Sequence, residues 1–179
     1  MTDNTIQQVQ RVSRAYVVLF DILLVVIPIL VLAYWAFFNQ LPEGFHAELP
    51  VQPGQVLSLT QKTFGGLVSL LPLSVVIYGL VTLKALFRLY AKAIMFSIEN
   101  VKYFRRLGYA LIAWVMANTL YTPLISLVVS STNPHGERVL VAQFGITDLL
   151  TFLIGGIILV ISWVINEGRK LEDEQAFTV

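Results

Sequence analysis

Four stretches of this sequence, 16–38, 64–83, 107–129 and 148–165, are apolar over about the length that an α-helix needs to cross a lipid hydrocarbon core. The second is the cleanest, with no charged side chain between Lys62 and Lys84. Of the 179 residues, 56% are hydrophobic and only 13% are charged, whereas an ordinary soluble domain carries about 25% charged residues. A chain of this size has too little interior to hide so much apolar surface from water. The sequence therefore reads as an all-α membrane protein, a single domain over 1–179 with four transmembrane helices. The first stretch follows Arg11 and Arg14 as a secretion signal would. It exceeds the roughly 7–15 residues of a signal's apolar region, and no clean cleavage site follows, so it is expected to be retained as a span.

The basic residues fix the expected orientation. Lys84, Arg88, Lys92, Lys102, Arg105 and Arg106 stand between spans two and three, which is half of the 12 in the chain. Arg11 and Arg14 precede span one, and Arg169 and Lys170 follow span four. Only Lys62 and Arg138 fall on the other side. The positive-inside rule then puts both termini and the 84–106 connector in the cytoplasm. Lys84, Arg88 and Lys92 recur every four residues, and Ile94, Ile98, Val101 and Phe104 supply an apolar counterpart. The connector is therefore expected to be an amphipathic helix lying at the interface. Within it, Ser97 suits a helix cap, with Glu99 near the positive helix end and within reach of Lys102.

The outer segments are punctuated by Pro42, Pro50, Pro53 and Pro134. Residues 55–61 and 138–143 alternate apolar and polar and lie on the same side, so a small β element formed by their pairing is expected there. Tyr34, Trp35, Phe37 and Phe38 end span one as an interfacial aromatic belt would. Pro28 and Pro72 lie inside spans one and two, where neighbouring helices must re-satisfy the freed carbonyls. Asp148 opens span four, and Gly155 with Gly156 offers it a close-packing site.

Two polar residues inside the spans carry most of the functional interest. Asp21 lies about 9 Å past the membrane edge by helix rise, and an intramembrane carboxylate marks either an ion pair or an ion path. Its reach favours a structural pair with Lys84 or Arg88. Asn118 falls near the bilayer middle, where an amide usually bonds to a neighbouring helix and less often to a ligand. His46 and His135, with Glu43, Glu48 and Glu137 nearby, offer metal-ligand types without a metal-site spacing. There is no cysteine, so disulfides and thiolate chemistry drop out. No nucleophile–base set, paired carboxylate, phosphate loop or nucleotide motif is readable, so neither an enzyme nor a bound cofactor or metal is expected.

Two stretches are familiar. SIENVKYFRRLGYAL in the connector and SWVINEGRKLEDEQAFTV at the C-terminus resemble an uncharacterised family of small four-span bacterial inner-membrane proteins. It is a domain-of-unknown-function family, often encoded beside a short helix-turn-helix regulator. Glu99, Asn100, Val101, Arg105, Gly108, Gly168, Leu171, Thr178 and Val179 carry the likeness, which implies a fold and a bacterial inner-membrane address but no activity. Bilayer lipid aside, the partners compatible with this reading are a cytoplasmic protein, anionic lipid, or a second copy of the chain. The basic face holding Arg105 and Arg106 and the acidic run Glu172, Asp173 and Glu174 are where a protein or lipid would read the molecule. With a net charge of +1, nothing points to nucleic acid. The leading expectation is a non-catalytic, regulatory membrane protein; the alternative is a small transporter or ion-permeation subunit using Asp21 and Asn118.

Overall fold

A computed structural model describes residues 3–46, 49, 55–95, 97–134, 136 and 138–176, with only the backbone of 3, 4, 43 and 169–176. Four long α-helices account for most of it: α1 Asp3–Ala36, α2 Leu59–Ala91, α3 Ile98–Ser130 and α4 Ile146–Ala176. Two 3₁₀ turns, Phe38–Gln40 and Glu43–His46, follow α1. All four helices are long and apolar enough to cross a membrane. Each extends past its apolar stretch at one end or both, α1 only at its start, because hydropathy marks the hydrocarbon whereas the helix continues through flanking helix formers until something ends it. Pro28, Pro72 and Pro123 lie inside α1, α2 and α3, and none of these helices is broken there.

The packing is serial, α1 on α2, α2 on α3 and α3 on α4; among the described residues α1 and α4 share no comparable interface. At the end that carries the 3₁₀ turns, Trp35, Phe38, Leu57, Ile125 and Val129 form a buried cluster. Two of the aromatic residues expected at a lipid interface thus lie inside the protein. The reason is local. Gly65 leaves room for the Trp35 ring, which would come within 2.2 Å of a Cβ at that position. The indole Nε1 donates to Ser69 Oγ at 2.9 Å, and Phe38 stacks between Trp35 and His46. Phe37 stays exposed. Between α3 and α4, Gly108 and Gly155 face each other so closely that a Cβ on either would sit 3.0 Å from the other's carbonyl oxygen. Gly156 points into open space and takes no part.

Two expectations from sequence fail. No strand forms among the described residues. Ser58 caps α2 with a reciprocal capping box to Gln61, so the 55–61 run turns into helix at Leu59. Residues 138–145 take no regular secondary structure and pair with no strand among the described residues. The α3 hydroxyls hold them instead: Ser130 Oγ lies 3.2 Å from both the N and O of Val139, and Ser126 Oγ accepts from Val141 N at 3.1 Å. Serines four apart on α3 thereby supply what a neighbouring strand would have supplied.

The expected connector helix over 84–106 is the second failure. Residues 84–91 are the end of α2 and residues 98–106 the start of α3, with a tight turn between. Ala93 adopts φ 62°. Its N–H donates to Tyr90 O, and Ile94 N–H donates to Leu89 O at 3.0 Å. This is a Schellman ending with alanine in the left-handed position normally held by glycine. Ser97 then caps α3 by accepting from Asn100 N.

Candidate functional site

At the end of the molecule carrying the α2–α3 turn, Tyr16 and Phe20 of α1 pack against Phe87 of α2. Beside them Lys84 donates to Asp21, forming an ion pair between α1 and α2. Arg88, the other candidate partner, is exposed one turn further on. The Asp21 side chain retains 49% of its exposure and that of Lys84 only 19%, so the cation is the more enclosed member.

The residues behind the family likeness separate into two groups at this end. Asn100 is buried; its Nδ2 donates to Ile94 O at 3.1 Å, locking the last residue of the Schellman turn to the first turn of α3. Its Oδ1 is buried without a partner in the described structure. Val101 is buried, and Gly108 gives α4 its closest approach. These three build the fold. Glu99, Lys102, Arg105 and Arg106 are exposed, as are Arg88 and Lys92 across the turn. Arg106 lies over the Tyr103 ring, 5.6 Å from its centroid. Gly168 has open space around it. The side chains of Leu171, Glu172, Asp173 and Glu174, and all of Thr178 and Val179, lie outside the described residues.

The opposite half holds a cleft that sequence reasoning missed. Helices α1 and α3 flank α2 without closing over it. The open-sided groove between them is a cavity of about 510 Å³, with Val31, Leu73, Val76 and Trp114 among its walls. A second, more polar chamber of about 1040 Å³ lies towards the 3₁₀ turns, with Phe45, Thr122, Gln143, Thr147 and Asp148 in its lining. Tyr34, Asn118 and Tyr121 line both chambers and form the neck between them. Asn118 is half-buried; among the described residues its side-chain amide has no hydrogen-bond partner, while its backbone O accepts an additional bond from Thr122 Oγ1 at 3.1 Å. Tyr121 lies 3.5 Å from Ser69, and Asp148 accepts from Gly145 N at 2.8 Å as the cap of α4. Asp21 lines neither chamber. The only signal in the sequence was the polar run Asn118, Thr119, Tyr121, Thr122 in the middle of span three.

His46 ends in the aromatic cluster, its ring 4.0 Å from that of Phe38 and its Nδ1 3.4 Å from the Tyr34 hydroxyl. His135, Glu48 and Glu137 lie outside the described residues, as does the side chain of Glu43. Among the described residues no group of three histidines or carboxylates could hold a metal ion.

Residues 60–179 match the family model described as "Protein of unknown function (DUF2975)". The chain belongs to this family. No curated protein and no solved structure matches it. Membership covers α2 to α4 and the turn between α2 and α3, while α1 and the 3₁₀ turns precede the match. Of the family likeness seen in the sequence, all nine residues fall inside the matched region.

Proposed function

We propose that this DUF2975 protein is a non-catalytic regulator in a bacterial inner membrane, with both termini and the α2–α3 turn in the cytoplasm, acting through an anionic partner at that turn. One observation carries the reading. Lys84 is taken up by Asp21, and the five other cations of the region, Arg88, Lys92, Lys102, Arg105 and Arg106, are all exposed around one tight turn. Topology needs only a charge bias. A Schellman ending and the Asn100 tether bring the end of α2 and the start of α3 together, so that these charges are presented side by side, which supports recognition beyond what topology needs. An acidic segment of a cytoplasmic protein is the partner chemistry such a surface fits.

The test is photo-crosslinking in cells from a benzophenone amino acid at position 98, an exposed site in the first turn of α3. A discrete adduct with an acidic protein is expected, lost when Arg88, Lys92, Lys102 and Arg105 are all changed to Gln while the protein remains in the membrane. No adduct from position 98 or from position 92 counts against the proposal, and so does an adduct indifferent to the four substitutions.

The transport alternative draws nothing from Asp21. That carboxylate is paired with Lys84 and lines neither chamber of the cleft that Asn118 lines, which supports the regulatory reading over a path through both residues.

A further inference from the structure

The cleft between α1 and α3 has an ordered chemistry along its length. Its inner chamber is mostly apolar, and the lining of the chamber near the 3₁₀ turns is about half polar. Asn118 at the neck lies about 18 Å from the Ser130 end of α3 by helix rise, well inside the hydrocarbon. An amide at that depth with no hydrogen-bond partner among the described residues is costly unless something polar reaches it. Water can enter the polar chamber, but it gains nothing in the apolar one. A molecule with an apolar tail and a polar head matches both chambers at once, and the bilayer is full of them.

The charge of the polar chamber narrows the headgroup. Asp148 is the one charged side chain among its described lining residues, and Tyr34, Tyr121 and Phe45 contribute aromatic rings to the same lining. A carboxylate among aromatic faces favours an ammonium group and disfavours a bare anion. We propose that this cleft is a binding site for an ammonium-bearing amphiphile taken from the leaflet on the 3₁₀-turn side. The headgroup sits between Asp148 and the neck, the amide of Asn118 bonds to the polar linkage, and the tail lies along Leu73, Val76 and Trp114. The site is independent of the basic turn at the other end of the molecule.

Tryptophan fluorescence tests this directly. Trp114 and the buried Trp35 both line the inner chamber, and Trp163 is exposed on α4 as a lipid-facing background. The protein carrying Trp163→Phe is placed in nanodiscs and titrated with tail-brominated lysophosphatidylethanolamine or lysophosphatidylglycerol. Saturable quenching by the ethanolamine form is expected, with the glycerol form at least about tenfold weaker in Kd, a difference of about 1.4 kcal/mol. Adding Trp114→Phe should reduce the saturable part to that of Trp35, which lines the same chamber. Asn118→Leu should weaken ethanolamine binding about tenfold. Asp148→Asn keeps an oxygen to cap α4 and should erase the discrimination between headgroups. Quenching that rises in proportion to brominated lipid without saturating, or that is equal for the two headgroups in the Trp163→Phe protein, overturns the proposal.

Discussion

The ion pair between Asp21 and Lys84 sets a clear contrast between two single substitutions. Asp21→Asn removes a charge and leaves an amide that still hydrogen-bonds Lys84, whose ammonium can reach towards the headgroup region. Lys84→Ala strands a carboxylate near the membrane edge. Breaking such a pair is worse when the member left behind cannot reach the headgroup region, and the short aspartate has less reach than the lysine. We expect Lys84→Ala to cost about 1–2 kcal/mol more than Asp21→Asn, below the full cost of a charge at the bilayer centre because Asp21 is close to the edge. Thermal unfolding in detergent reads this, and the double variant should recover part of the loss. Greater damage from Asp21→Asn would mean that the carboxylate itself does the work, as a proton relay would. At this scale the sequence was legible wherever depth and charge decide. The depth of Asp21 left few possible partners. The partnerless amide of Asn118 was not legible, because it depends on which helix faces the mid-span position of α3, and sequence spacing carries no such information.

At the scale of elements, the helix ends decide what the apolar runs could not. Two antiparallel helices place the start of α2 beside the end of α3, and Gln61 joins them. Its Oε1 accepts from Ser58 N at 2.9 Å, closing the capping box, and its Nε2 donates to Val129 O at 2.9 Å and to Thr132 Oγ1 at 3.0 Å. One buried side chain thus serves the orphan donors of one helix and the orphan acceptors of the next. Gln61→Glu separates the roles, since a carboxylate still accepts from Ser58 but cannot donate to Val129. We expect a loss of about 2–3 kcal/mol from that change, against about 1 kcal/mol for Ser58→Ala, by chemical denaturation in detergent. Equal stability of Gln61→Glu and the native chain would show that the donor side contributes nothing. The α2–α3 turn offers the opposite sign. Ala93 sits at φ 62°, where a Cβ is crowded, so Ala93→Gly should stabilise the protein by about 0.5–1 kcal/mol after allowing for the freer unfolded chain. A lower melting temperature for Ala93→Gly would contradict the left-handed assignment. That alanine also explains why the connector reads as one helix in sequence: the stop signal there is normally glycine, and Ser97, the start signal, was visible but not sufficient to end the helix before it. The serine pair Ser126 and Ser130 misleads in the same way, since hydroxyls on a helix can hold an irregular segment that period-two alternation assigns to a sheet.

The molecule as a whole is a row of helices, each packed on its neighbours in sequence, with most apolar side chains of α1 and α4 facing outward. Such surfaces are tolerable only in lipid or against another chain. The four spans were therefore legible from composition and length, whereas the open side of α2 was not, because a closed bundle and a row have the same hydropathy. Orientation belongs to this scale too and can be tested on the intact fold. The chain contains no cysteine, so single substitutions report without background. Val56, 74% exposed, precedes α2, and Lys92, also exposed, follows it. A membrane-impermeant maleimide should label Val56→Cys in intact spheroplasts and Lys92→Cys only after permeabilisation, because ten of the 12 basic residues lie with Lys92. The reverse pattern would invert the molecule and move the basic turn away from any cytoplasmic partner. Labelling of both from the same side would be more damaging. These two positions flank a single helix of 33 residues, about 50 Å by helix rise, and both ends of a straight crossing cannot face one compartment.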